Sequence, residues 1–357
     1  MPPALLTMVD LAARHRRVAE AAEAAVLGVL RSGIWVGGPE VAALEAEAAT
    51  AFGRAHGVAC GSGTDALVLA LEALGVGPGD EVIVPALSFY ATAGAVLLAG
   101  ARPVVADVLP DRPLLDPRAA ADAVGERTRA AIRVHLFGMA CPDPELRVPL
   151  VEDSAQAAGL DPAPRLGVAT AVSFYATKTW GAAGDGGLVA SDDAEFAARV
   201  RQLANHGALP GRSCLHGRVS GHGGGNSRLD ALQAALLRVH LRDLPARIAR
   251  RRSAAAAFDA ALPPTCRPVP RDAGDPIHQY LLRCEARDAL AAFLHTRGIE
   301  TAIYYPRPLS AQPALQPQPP TPVADGWCRE VLSLPCHESL SDRDVTRIAG
   351  SLAEFRP

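Results

Sequence analysis

The stretch "VSFYATKTWGAAGDGG", Val172 to Gly187, holds the one lysine of the chain, Lys178, against 34 arginines elsewhere. A lysine amine can condense with an aldehyde to a Schiff base, whereas a guanidinium stays protonated and delocalised. Lys178 follows a run apolar enough to be a buried strand and precedes a glycine-rich loop that could bring backbone close to a ligand. Ser173, five residues earlier, could aim its hydroxyl at the same place. A lone loop lysine is more often a surface residue, so the neighbouring motifs must decide.

Two other stretches could do chemistry with it. "LVEDSAQAAG" (150–159) ends an apolar strand with Glu152 and Asp153, and the carboxyl ends of parallel strands form the ligand crevice of open α/β sheets. A buried Asp facing a pyridinium nitrogen would keep it protonated and make a pyridoxal phosphate ring an electron sink; a helix N-cap is the plainer role. "GSGTDAL" (61–67) sets Gly61, Ser62, Gly63 and Thr64 before a helix, where free N–H groups and the positive end of the macrodipole suit an anion. It also matches G-x-G-x-x-A, but the next strand ends in "VPALS" with no acid for a ribose, and no G-K-[ST] follows for a P-loop. A simple N-cap stays open for this motif too.

These residues need a frame. From about Gly57 onward, short apolar runs alternate with helical patterns, as in a parallel α/β sheet. Strands are predicted at 81–86, 102–108, 129–138, 147–153, 170–175 and 186–191, with a helix over 64–75. Between the third and fourth strands only Met139 to Arg147 remain, fewer than the roughly dozen residues of a usual parallel crossover. Either a helix is missing there or the two strands are not neighbours. Pro245 reads as a hinge or helix start, and "ARIARRRS" (246–253) as a solvated helix face. The tail, with a helix over 287–298 and a Pro-rich connection from Pro306 to Pro322, fits a small α+β domain. The expected division is 1–245, a large α/β domain with an N-terminal helix, and 246–357.

Composition narrows the class. A chain of 357 residues is long for one core, and no apolar run reaches the roughly 18 residues of a membrane span. The N-terminus lacks a secretory pattern, so a cytoplasmic location is expected. A net charge of −3 speaks against a nucleic-acid binder. The seven cysteines are scattered without a C-x-x-C pair, so they read as reduced and structural, with no metal site.

The ordered series "SGIWVGGPEVAALEAEAA" (32–49), "GSGTDALVLALEALGVGPGDEVIVPALSF" (61–89), "VEDSAQAAG" (151–159), "SFYATKTWGAAGDGG" (173–187), "NHG" (205–207), "GGNSRLDALQAALLR" (224–238) and "LSLPCHESLS" (332–341) resembles the DegT/DnrJ/EryC1/StrS sugar aminotransferases. The resemblance implies an α/β, fold-type I pyridoxal-phosphate transferase, built like aspartate aminotransferase, with a mostly parallel central sheet and a small C-terminal α+β domain. Lys178 would carry the cofactor as a Schiff base and act as acid and base. Asp153 would meet the pyridine nitrogen and Gln156 the ring face or its 3′-oxygen. Gly63, Thr64 and Ser173 would hold the phosphate, and Phe89 would stack on the ring. Asn226 would reach the phosphate from the partner subunit, which makes the expected protein an obligate homodimer with a shared active site.

The implied reaction moves an amino group from an amino acid, typically L-glutamate, to a keto sugar in amino-sugar or antibiotic biosynthesis. Lys178 speaks against the related sugar dehydrases, which resemble this chain but carry His there, and no cysteine sits in a desulfurase-like loop. A catalytically idle sensor or partner protein would have no chemical reason to keep the whole set. The departures are Thr179 and Trp180 where the family has Asn-Leu, and Tyr304 and Ser310 where it has histidines. They leave the acceptor open between a keto sugar nucleotide, with "GGNSRLD" leaning toward a 3-keto-deoxyhexose nucleotide, and a keto-cyclitol or other non-nucleotide ketone. His216, Arg218 and His222 could meet substrate phosphates or form a surface loop.

Overall fold

The apolar runs pair into one seven-stranded sheet in the computed structural model, which describes residues 5–209, 212–217 and 225–356. The strands are β1 (His56–Cys60), β2 (Glu81–Pro85), β3 (Arg102–Ala106), β4 (Thr128–Val134), β5 (Leu150–Asp153), β6 (Ala169–Ser173) and β7 (Gly187–Ser191). Their spatial order is β1-β7-β6-β5-β4-β2-β3. All neighbours from β6 to β3 are parallel, and β7 runs antiparallel to both β6 and β1. The carboxyl ends of β1 to β6 therefore lie on one edge. Strands β2 and β5 are buried along their whole length, as expected where helices cover both faces of a parallel sheet.

The sequence expectations need four corrections. β1 was not among the predicted strands. The predicted strand over 129–138 stops at Val134, and a 3-10 turn, Leu136–Gly138, follows with Phe137 at a φ of 60°. Of the two alternatives left open between β4 and β5, the first holds and needs no correction: the helix is missing, and the strands are parallel neighbours, Ala131 opposite Leu150. Pro245 is neither hinge nor helix start, because one helix runs unbroken over Ala231–Ala260. Proline removes one helical hydrogen bond, but Leu244, Arg247 and Ile248 are buried on either side of it and hold the helix to its neighbours.

That helix joins two cores. Ala234, Leu237, Leu244 and Ile248 pack with Phe174, Trp180 and Leu188 under the large sheet. Ala254, Ala255 and Phe258 pack instead with the C-terminal portion. There, β10 (Cys266–Pro268), β11 (Tyr280–Cys284) and β12 (Val331–Leu334) form an antiparallel sheet, numbered after the hairpin of β8 (Ala208–Leu209) and β9 (Arg212–His216). The basic run is the fourth correction: Arg247 and Arg251 are buried, so the segment is no solvated face. Among the described residues, no helix is long and apolar enough to cross a membrane.

Candidate active site

At the carboxyl edge of the sheet lies a cavity of about 650 Å³, a size suited to a cofactor with a small substrate. Gly63, Thr64, Phe89, Asp153, Gln156, Ser173 and Lys178 all line it, although they come from four separate segments, those that follow or end β1, β2, β5 and β6. Asn226 does not line it. Its side chain is exposed and accepts from Nε of Arg228 at 3.0 Å.

The anion cradle is built by close approach. Ser62 is the N-cap of the helix Gly63–Ala73, its hydroxyl accepting the Asp65 N–H at 3.1 Å. The Ala66 N–H reaches the Ser62 carbonyl at 3.0 Å, so the N–H groups of Gly63 and Thr64 come before the first helical bond. A Cβ at Gly63 would stand 2.5 Å from Cβ of Ser173, so only glycine lets the two loops meet there. Ser227 ties the same loop to the segment after Gly225. Its hydroxyl donates to Oδ2 of Asp65 at 2.6 Å and accepts the Gly61 N–H at 3.0 Å.

Asp153 ends β5, and no helix starts at it, so it is not an N-cap. Its Oδ2 accepts the Thr92 hydroxyl at 2.9 Å and its Oδ1 the Ala155 N–H at 3.1 Å. Thr92 has one proton, committed to Asp153, so Ser88 must donate to Thr92 across 2.7 Å. Burial raises the Asp153 carboxyl above its ordinary value, opposed by the Ala155 N–H, the Thr92 hydroxyl and the Lys178 charge. Lys178 is the mirror case. Burial lowers its amine, and the attraction of Asp153 opposes that. A lowered amine spends more time as the free nucleophile and base.

Behind Asp153, Glu152 points away from the cavity and is fully buried. Its carboxylate takes Arg133 at 3.3 Å and the N–H groups of Leu166 and Gly167 at 2.8 and 2.9 Å. Arg133 also donates through Nε to the Pro142 carbonyl at 2.9 Å. One ion pair thus pins both shortened segments, 139–147 and 160–167, to the strand that ends in Asp153. The Cys141 N–H donates to Nδ1 of His135 at 3.1 Å, which puts the His135 proton on Nε2, facing Glu152.

Several site residues were not foreseen. His278, from the turn before β11, lines the cavity beside Lys178 and shares a hydrogen bond of 3.2 Å between its Nδ1 and the Thr179 hydroxyl. Burial, then the charges of Lys178, Arg251 and Arg14, hold it well below its ordinary value, so it is a neutral imidazole. Tyr305 also lines the cavity, as does Gln156. The Gln156 Oε1 accepts the Phe137 N–H at 2.6 Å. Nothing in the stretch "DPIHQY" marks His278 by spacing; the doublet "YY" at 304–305 was a signal read only at its first member.

Of the two positions where histidines were expected, Tyr304 lines the cavity. Ser310 does not; its hydroxyl pairs with Thr321. His216, on β9, is exposed and bonds to the His206 carbonyl at 3.0 Å, while Arg218 and His222 lie outside the described residues.

A half-buried amine, a buried carboxylate and an anion cradle around one cavity are the parts that a phosphorylated aldehyde cofactor needs. The DegT/DnrJ/EryC1/StrS aminotransferase family matches residues 16–353. The chain belongs to this family. It is 36% identical to the UDP-2-acetamido-2-deoxy-3-oxo-D-glucuronate aminotransferase of Pseudomonas aeruginosa, covering 98% of this chain and 99% of that protein. It is 38% identical to the dTDP-3-amino-3,4,6-trideoxy-alpha-D-glucose transaminase of Streptomyces venezuelae, covering 97% and 95%. The crystal structure of S. venezuelae DesV in complex with a ketimine intermediate superposes with a TM-score of 0.91 at 36% identity, covering 99% of this chain and 98% of that one. The fold is therefore fold-type I, and the chain is a pyridoxal-phosphate-dependent aminotransferase of the DegT/DnrJ/EryC1/StrS family.

Proposed function

We propose that this aminotransferase moves an amino group from L-glutamate to the ketone of a nucleotide-linked sugar, in amino-sugar or natural-product biosynthesis. The observation that carries it is the pairing of half-buried Lys178 with buried Asp153 in the wall of one cavity. The acceptor class is supported by relatives whose names specify UDP- and dTDP-linked amino or keto sugars at nearly full coverage. Both names place the nitrogen chemistry at the sugar's third carbon, which supports a 3-keto sugar nucleotide here.

Gly63, Thr64 and Ser173 would hold the cofactor phosphate, Asp153 its ring nitrogen, Gln156 and Phe89 its ring, and Lys178 its aldehyde carbon. Pyridoxal phosphate, when bound, supplies a carbonyl that amines capture and a ring that stores the electron pair left at the substrate carbon. Asp153 would keep the proton on the ring nitrogen, because its burial makes an unpaired carboxylate costly. Nζ of Lys178, once freed by the incoming amine, would take the proton from the substrate's α-carbon and deliver it to the former aldehyde carbon of the cofactor, so that the nitrogen stays with the cofactor.

The working unit we propose is a cytoplasmic homodimer with a shared active site. Asn226 is exposed and does not line the cavity of its own chain among the described residues, which fits a side chain delivered to the partner's phosphate. Ile34, Trp35 and Val36 are successive exposed apolar residues, at 47%, 56% and 52%, the sort of patch a second copy covers. For the chain itself we propose a large portion, 1–245, and a small one, 246–357, with the helix Ala231–Ala260 spanning both. Tyr304 in the cavity favours a second reading, in which the ketone is a keto-cyclitol without nucleotide.

The test has two stages. Glutamate should remove the visible absorbance of the lysine-bound cofactor. The amine-loaded enzyme should then regain it with a keto sugar nucleotide. Regain only with keto-cyclitols would move the assignment to the second reading, and no regain with either would contradict both.

A further inference from the structure

Three charged side chains that the reaction does not use directly are buried together behind Lys178. Arg14 comes from the N-terminal helix Leu11–Arg16, Arg251 from the helix Ala231–Ala260, and Glu338 from the segment after β12. They are 3%, 2% and 4% exposed. Glu338 Oε1 accepts Nε of Arg14 at 2.6 Å, and Oε2 accepts Nη2 and Nε of Arg251 at 2.8 and 3.1 Å. The shared carboxylate leaves each guanidinium with further donors, and these go to main-chain carbonyls.

Where they go is specific. Nη1 of Arg14 donates to the carbonyls of Ala176 and Lys178, both at 2.9 Å. Nη1 of Arg251 donates to the carbonyls of His278 at 3.0 Å and Cys336 at 2.9 Å. The Lys178 N–H meanwhile donates to Tyr175 at 2.8 Å. The peptide units on both sides of Lys178 are thus held, and its torsional freedom is confined to the side chain. Two cations on one carboxylate is a costly arrangement to bury, and apolar side chains of similar size would fill the space at least as stably. A planar, permanently charged fork that holds a carboxylate through Nε and two carbonyls through Nη1 has a use that packing lacks.

We infer that Arg14, held by Glu338 and Arg251, is a positioning residue for Lys178, fixing the main chain so that the amine returns to one place after each release. The inference rests on Lys178 being the cofactor-binding lysine. It makes the N-terminal helix part of the active-site scaffold, although it contributes no side chain to the cavity lining.

Arg14→Met and Arg14→Lys in the full-length protein test it. In Arg14→Met the glutamate half-reaction should slow by ~10- to 100-fold, the scale of a small misplacement of a reacting group, with glutamate affinity little changed. The pH at which the bound cofactor's visible absorbance shifts should move. In cofactor-free protein, amide exchange should quicken in the peptide spanning Ser173–Ala183. Arg14→Lys should recover the melting temperature but not the rate, because a single ammonium nitrogen cannot take the places of both Nε on Glu338 and Nη1 on the two carbonyls. Should Arg14→Met not fold, Arg14→Lys decides alone: a parental rate and parental exchange would overturn the inference. A lowered melting temperature with unchanged half-reaction, absorbance titration and exchange would make Arg14 merely structural. If the parent itself yields no reduced adduct on Lys178, the underlying reading fails instead, and the two failures are told apart.

Discussion

Nδ1 of His278 lies 3.2 Å from the hydroxyl of Thr179, the residue directly after Lys178. The bond ties a neutral imidazole in the cavity wall to the segment that carries the amine. His278→Ala leaves the buried Thr179 hydroxyl without this partner and should cost ~1–3 kcal/mol of stability. His278→Gln, which can still bond to Thr179, should keep most of that stability while slowing turnover. Urea unfolding and the glutamate half-reaction, measured on both variants, check this. Equal stability losses in the two would remove the bond from the account.

The buried histidines also set a pH dependence. Burial lowers His135, His240, His278 and His337, and takes His240 from 6.5 to about 4, with Arg247 and Arg14 adding to the effect. Between these values the unfolded chain binds a proton that the folded chain refuses. The stability contribution is therefore complete above the unfolded pKa of 6.5 and is lost as pH falls toward about 4. His240 Nδ1 donates to the Gly181 carbonyl at 2.7 Å, a bond that a glutamine could make. His240→Gln should narrow the gap between unfolding midpoints taken at about pH 7 and about pH 5; an unchanged gap would mean that other groups carry it.

Gly63→Ala tests the cradle. The added Cβ would come within 2.5 Å of Cβ of Ser173, so the two loops must part. Cofactor affinity should fall by ~10-fold or more, since one misplaced anchoring contact is worth about 1.4 kcal/mol. Equilibrium dialysis of pyridoxal phosphate reads this directly, and affinity equal to the parent's would show that the phosphate lies elsewhere.

Asp153→Asn keeps an acceptor for the Thr92 hydroxyl, which donates to Oδ2 at 2.9 Å, but removes the charge. The protein should fold and still bind cofactor. The glutamate half-reaction should slow by ~100-fold or more, the range seen when a proton held by a positioned group is lost. A half-reaction at the parental rate would take Asp153 out of the mechanism.

The residues proposed to hold the cofactor stood out in the sequence because their types are rare at such places: one lysine, one acid pair at a strand end, one Gly-Ser-Gly-Thr run before a helix. The strands stood out where apolar runs were long. β1 escaped because "HGVAC" carries a His and a Gly and pairs antiparallel with β7. Pro245 misled because local geometry argues for a break, while burial on both sides of it keeps the helix whole. The arginines at 247 and 251 misled in the same way. A basic run is usually solvated, and only the fold shows that Glu338 and the carbonyls around Lys178 and His278 wait for them. Trp180, read as a departure from the expected pattern, proved to be core, stacked on Phe52 and edge-on to Phe174, with Nε1 on the Leu237 carbonyl at 2.9 Å.

The central claim is that Lys178 holds the cofactor covalently inside this cavity. Borohydride reduction of the cofactor-loaded protein, followed by peptide mapping, tests it most directly. The account predicts a reduced pyridoxyl adduct on the peptide containing Lys178, with none formed in Lys178→Ala. An adduct at the N-terminal amine alone, or no adduct in a protein that still transfers nitrogen from glutamate, would contradict it.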